Sequence, residues 1–127
     1  MENRFDRLER LGLVRFKIEP DECVSVEDLE GDCFNPEVNP DVDPAILASE
    51  REAFVDRINR EGVWGIIGEY NIGQGWTMAD SVWGFVGEDF EGSGYDLDVK
   101  DITVDALRKA IRMRCRCCMG KGVKNVF

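Results

Sequence analysis

The stretch from Val63 to Asp89 constrains this chain more than any other. It reads VWGIIGEY over 63–70, then a polar, glycine-containing break at 71–75, then WTMADSVWGFVGED over 76–89. All three tryptophans, Trp64, Trp76 and Trp83, lie in it. Two runs rich in Trp, Ile, Val and Phe around a glycine-bearing break read as a β-hairpin. In the first arm Trp64, Ile66, Gly68 and Tyr70 share one face and Val63, Gly65 and Ile67 the other. Large side chains on both faces predict a strand pair covered on both sides in its middle. Glycines beside the tryptophans predict close ring or backbone approach, or bulges. VWGIIGEY and VWGFVGED agree at five of eight positions, a pattern that an internal repeat or two strands of similar burial both produce.

The flanking segments supply helices and one more strand. Phe5, Leu8 and Leu11 at helical spacing predict a short helix ending near Gly12, and Val14, Phe16 and Ile18 alternate as a strand stopped at Glu19-Pro20. Ser25 with Asp28 three residues on predicts one helical turn that Gly31 ends. Asp43-Pro44 starts a helix carrying Leu47, Phe54 and Ile58, closed by Gly62. Tyr95, Leu97 and Val99 alternate, so residues 95–99 read as a short edge strand or an irregular approach. Asp101 or Thr103 then caps a last helix with the stripe Val104, Leu107, Ile111 and Cys115, ended by Gly120 and Gly122. The expectation is an α+β fold: an antiparallel sheet centred on the 63–89 hairpin, with two to three helices packed against it.

At 127 residues the chain is read as one domain, 1–127, with an acidic proline-containing loop at 19–43 and a basic tail at 119–127. It has no run of about 18 apolar residues, and Met1–Arg10 is charged, so neither a membrane span nor a secretory signal is expected. With five cysteines (Cys23, Cys33, Cys115, Cys117, Cys118), an odd number, the reading is a cytoplasmic protein with reduced thiols.

Charge is distributed unevenly. The 26 acids all lie at or before Asp105, whereas seven of the 16 bases (Arg108, Lys109, Arg112, Arg114, Arg116, Lys121, Lys124) fall in the last 20 residues. Such a field repels nucleic acid from most of the surface and attracts basic protein surfaces. Direct duplex DNA binding by the acidic body is therefore not expected.

Specific chemistry has little support. Cys115-Arg-Cys117-Cys118 with Cys23 and Cys33 could supply zinc thiolates, but the spacing matches no common pair and histidine is absent. A cysteine on an apolar stripe is more simply a small hydrophobe, with Cys117, between arginines, the one candidate reactive thiol. Asp89-Phe-Glu91-Gly-Ser93-Gly94 begins like a calcium loop, yet Lys100 stands where a bidentate carboxylate is needed. Gly73-Gln-Gly75 lacks the lysine and helix of a phosphate loop and reads as the hairpin connection. Asp80-Ser81 beside Trp83 is the only polar pair within the apolar hairpin, too little for a nucleophile and base. The expectation is no enzyme, no cofactor and no metal.

Residues 19–43 remain, with ten acids, no base and three of the four prolines. Their plain reading is a solvated, partly disordered loop. Their functional reading is a carboxylate array that meets lysines and arginines of another molecule as phosphates would, through Glu27, Asp28, Glu30, Asp32, Glu37, Asp41 and Asp43, with Trp76 as an aromatic contact. The C-terminal bases could alternatively fold back on this array.

The segment from Gly31-Asp-Cys-Phe-Asn-Pro36 through GVWGIIGEY and DSVWGFVGED to GSGYDLD resembles small phage-encoded proteins of uncharacterised function. Those carry a similar tryptophan–glycine strand followed by a turn and a tyrosine. The resemblance covers about residues 30–99, rests on a structural motif and carries over no catalytic residue. In size and charge the chain is also similar to anti-CRISPR and anti-restriction inhibitors, several of which imitate DNA. What these likenesses imply is a phage-type anti-defence inhibitor, in the host cytoplasm, bound to a host defence complex with a basic nucleic-acid-binding surface. A small cysteine-liganded metal protein or enzyme, or a phage accessory protein that self-associates as a homodimer, are the alternatives.

Overall fold

The structure, a computed structural model, describes residues 2–118, with side chains through Arg114. The expectations for Gly120, Gly122, the basic tail and the thiols of Cys115, Cys117 and Cys118 lie outside the described residues. The elements run α1 (Arg4–Arg10), β1 (Val14–Pro20), α2 (Val26–Glu30), α3 (Pro44–Glu61), β2 (Val63–Tyr70), β3 (Thr77–Val86) and α4 (Tyr95–Cys118). The sheet is antiparallel with order β1-β2-β3, and the fold is α+β with the hairpin at its centre, as the sequence predicts.

Register is fixed by backbone bonds at the strand ends. Asn71 donates to the Leu13 carbonyl at 2.9 Å and Asp21 to that of Val63 at 2.8 Å. Beside β3, Gly87 donates to Gly62 at 2.9 Å. Pro20 ends an edge strand, where a missing N–H breaks no inner ladder. The centre of β2, residues 65–68, is buried. In contrast, β3 is an edge strand that leaves Thr77, Met78 and Trp83 exposed, so the expected cover on both faces holds for one arm only.

The chain divides into two compact units: Met1–Glu19 with Ile66–Val82 and Phe90–Phe127, and Pro20–Gly65 with Trp83–Asp89. The first unit holds the main core, where Phe5 and Leu8 of α1 meet Leu13, Val14, Val104, Leu107 and Ile111. Helix α4 approaches β2 closely because Gly68 has no side chain. A Cβ there would stand 1.9 Å from the Thr103 hydroxyl oxygen and 3.0 Å from Val99 Cγ1. Thr103 is fully buried, and its hydroxyl donates to the Val99 carbonyl at 2.7 Å.

Helix α4 begins at Tyr95, so neither the edge strand at 95–99 nor a cap at Asp101 or Thr103 exists. Tyr95 and Leu97 are exposed while Val99 is buried, and the buried stripe is Val99, Thr103, Val104, Leu107 and Ile111. Ser93 accepts from Tyr95 N–H at 3.1 Å, and Asp96 and Asp98 lie in the first turn, where the helix dipole favours anions. Arg108, Lys109, Arg112 and Arg114 follow along the helix.

In the second unit, Asp43 accepts from Ala45 N–H at 2.9 Å with Pro44 opening α3, and Gly62 closes it. Ser25 and Asp28 form the reciprocal cap of α2, which ends at Gly31. Phe34 packs on Phe54 with ring centroids 5.6 Å apart. The Trp83 ring covers Gly65, with three ring atoms 2.1–2.6 Å from where a Cβ would be, while Trp64 donates its indole N–H to the Glu61 carbonyl at 2.8 Å. Gly84 and Gly87 have φ of +91° and +58°, but their counterparts Gly65 and Gly68 do not adopt positive φ. The two matching octapeptides are not a structural repeat.

Candidate functional site

The acidic segment is built from α2 and a run of turns. Asn39 holds it: its side-chain amide donates to the carbonyls of Asp32 (3.0 Å), Cys33 (3.3 Å) and Asn35 (3.0 Å). The Asp32 carbonyl also accepts from Asn35 N–H and the Asn35 carbonyl from Val38 and Asn39 N–H, so the amide adds a tie between turns that backbone bonds already shape. Asn35 in turn accepts from Glu37 N–H at 3.0 Å. The disordered-loop reading does not describe these turns.

Of the nominated residues, the structure brings Glu27 and Glu30 together at one cation. Arg51 of α3 donates through Nε to Glu30 at 2.6 Å and stands 3.9 Å from Glu27. The Glu30 side chain is only 16% exposed, and its hydrogen bond raises the Arg51 pKa above the ordinary value. Asp28 and Asp43 are exposed but used as caps. Asp32, Glu37 and Asp41 are exposed, and no cation among the described residues pairs with them.

The second unit as a whole carries fifteen acids against three arginines, a formal charge of −12. Each arginine is already claimed: Arg51 as above, Arg57 by Glu61 and Asp89 at 2.6 Å each, and Arg60 by Glu61 at 3.8 Å. The first unit has the other eleven acids with thirteen bases. Net negative charge is thus a property of the second unit. The one cation that meets Glu27 and Glu30, Arg51, comes from α3. Nothing in its neighbours on α3 marks it, since its partners lie 21 and 24 positions upstream.

Trp76 belongs to the first unit and is exposed. The Arg15 guanidinium lies 4.1 Å from its ring centroid, while Arg15 Nε donates to Glu69 at 2.7 Å. Lys17 stands 3.4 Å from the same carboxylate, and the Arg15 hydrogen bond holds the Glu69 pKa below the usual glutamate value. Lys100 places its ammonium 5.3 Å and 4.9 Å from the ring centroids of Phe5 and Phe16.

The calcium-loop residues serve other ends: Asp89 pairs with Arg57 and Lys100 lies inside α4. At the hairpin connection, Asn71 accepts from Gly73 N–H at 2.7 Å, and Arg114 donates to the Ile72 carbonyl. Asp80 and Ser81 are half-buried. Among the described residues no three Cys, Asp or Glu side chains gather as a metal's ligands would, and Cys23 and Cys33 are exposed free thiols. No described helix is long and apolar enough to cross a membrane. No family model, curated protein or solved structure matches the chain.

Proposed function

We propose that this chain is a phage-type anti-defence inhibitor whose acidic unit docks on the lysine- and arginine-rich surface of a host nucleic-acid-handling complex, in place of nucleic-acid phosphates. The observation that carries this reading is the uncompensated charge of the second unit: −12, with all three arginines internally claimed and Asp32, Glu37 and Asp41 exposed. The Asn39 clamp favours it too, because carboxylates on fixed turns lose less entropy on docking than those on a loose chain. Charge of one sign over one unit speeds encounter with a basic surface, and this steering weakens as salt shortens the screening length to about 10 Å at 0.1 M.

The test uses purified CRISPR and restriction effector complexes. The protein is expected to bind one of them in competition with its DNA, at least tenfold more weakly at 0.5 M than at 0.1 M salt. The variant D32N/E37Q/D41N is expected to lose tenfold or more at low salt. Absence of binding to these complexes, or binding indifferent to salt and to the triple variant, would remove the reading.

A further inference from the structure

The two edges of the sheet differ in what keeps another strand away. An edge offers unpaired N–H and C=O groups to any strand that approaches, and charged side chains or proline along it are the usual barrier. On β1 that barrier is present: Arg15, Lys17, Glu19 and Pro20 fall within seven residues. On β3, ten residues hold one charged side chain, Asp80, and no proline. Among the described residues, the backbone of 77–80 bonds to no segment other than β2. Thr77 is exposed, and Met78 keeps 60% of its surface in solvent. The part of β3 before Trp83 belongs to the first unit, which has thirteen bases to eleven acids. The negative excess that would hold two copies apart lies in the other unit.

A strand that pairs here must accommodate Asp80, which is half-buried. Two copies of β3 meeting antiparallel are related by a two-fold axis, and the residue on that axis faces itself. With the axis at Ala79, Met78 stands opposite Asp80 of the second copy and Thr77 opposite Ser81. The two carboxylates then take diagonal positions roughly 7–8 Å apart. An axis at Asp80 would instead set carboxylate against carboxylate, and like charges directly opposite destabilise a strand pair. Alanine is also the smallest side chain of the run, placed where two identical ones must share space.

We infer that residues 77–82 of β3 form a self-association edge, at which two copies of the chain join antiparallel about Ala79. Two three-stranded sheets then become one of six strands. A second copy is the occupant because its own β3 supplies the backbone groups, the length and a register that keeps the only charge unopposed. Dimer formation does not depend on the docking proposed above, and a dimer would carry two acidic units.

Sedimentation velocity of the full chain under reducing conditions, from about 5 to about 300 μM, tests this, since so short an interface falls below the standard size and is weak. A reversible monomer–dimer equilibrium is expected, with concentration-dependent amide shifts centred on 77–82 in the isotope-labelled protein. M78E sets a carboxylate against Asp80 of the second copy and is expected to weaken dimerisation at least tenfold. M78K sets an ammonium there and is expected to stay within about threefold of wild type. I18E, equally acidic and placed on the β1 edge, is expected to leave the equilibrium unchanged. Met78 and Ile18 are both exposed, so these substitutions remove no core contact. A monomer at every concentration, assembly beyond two copies, or amide shifts that lie outside β3 would overturn the edge. Equal weakening by M78E and I18E would do the same, and equal weakening by M78E and M78K would overturn the register about Ala79.

Discussion

The Thr103 hydroxyl occupies the space in which a side chain on Gly68 would begin, 1.9 Å from that Cβ position. This contact sets how near α4 lies to β2 at Gly68. G68A is therefore expected to destabilise the protein by about 2–3 kcal/mol, since Thr103 is wholly buried and packed cores resist added atoms. T103A should recover part of that loss when combined with G68A, although alone it destabilises by about 1 kcal/mol through its buried hydrogen bond. Urea denaturation of the four proteins in the cycle measures both values. Additive effects would contradict the contact.

Gly65 and Trp83 give a second test on the other unit. With three ring atoms 2.1–2.6 Å from the missing Cβ, G65A must push the indole aside. Trp83 is 44% exposed, so it can move outward, and the expected cost is about 1–2 kcal/mol. The tryptophan emission maximum should move to longer wavelength as that ring gains water. An unchanged spectrum in G65A would show that the ring does not rest on the glycine.

Asn39 makes a prediction about the acidic turns. N39A removes donors from three carbonyls and is expected to cost about 1–2 kcal/mol, with faster proteolysis confined to residues 31–43. N39D keeps the shape but exchanges the donor for a like-charged acceptor beside carbonyl oxygens, so it should be worse than N39A at neutral pH. A reversed order would mean that shape rather than donation holds the turns.

Glu69 gives the pH dependence. Its pKa is lowered in the folded protein, chiefly by the Arg15 hydrogen bond. The folded state thus binds that proton less readily than the unfolded chain, for which a value of about 4.3 applies. Its contribution is complete above that value and is lost as pH falls through the lower, folded one. E69Q should lower stability at pH 7 by roughly 1 kcal/mol, the scale of a part-exposed ion pair, and lose less than wild type between neutral pH and the acid side. Denaturation midpoints across pH 3–7 measure the difference, and parallel curves would reject the assignment.

Much of the fold was legible because its signals are local. Asp43-Pro44, Ser25 with Asp28, and Gly62 mark helix ends through bonds made within a few residues. The hairpin arms are marked by their own side chains. Residues 95–99 misled for an equally local reason. Over five positions, alternation and a helical stripe place Tyr95 and Val99 alike, and only the burial of Val99 with the exposure of Leu97 separates them. Whether the hairpin is covered on both faces was not written in it either, since β1 adds to one arm and makes β3 the edge.

Sequence alone determined the element types, the tryptophan–glycine strands and the excess of carboxylates, each set by composition or by neighbours along the chain. Tertiary structure decided where that excess lies, which carboxylates Arg51 consumes, and that Asn39 turns an acidic stretch into fixed turns. Those outcomes depend on contacts between side chains as many as 24 positions apart, and electrostatic pairing is a matter of distance in space, which the order of residues does not encode.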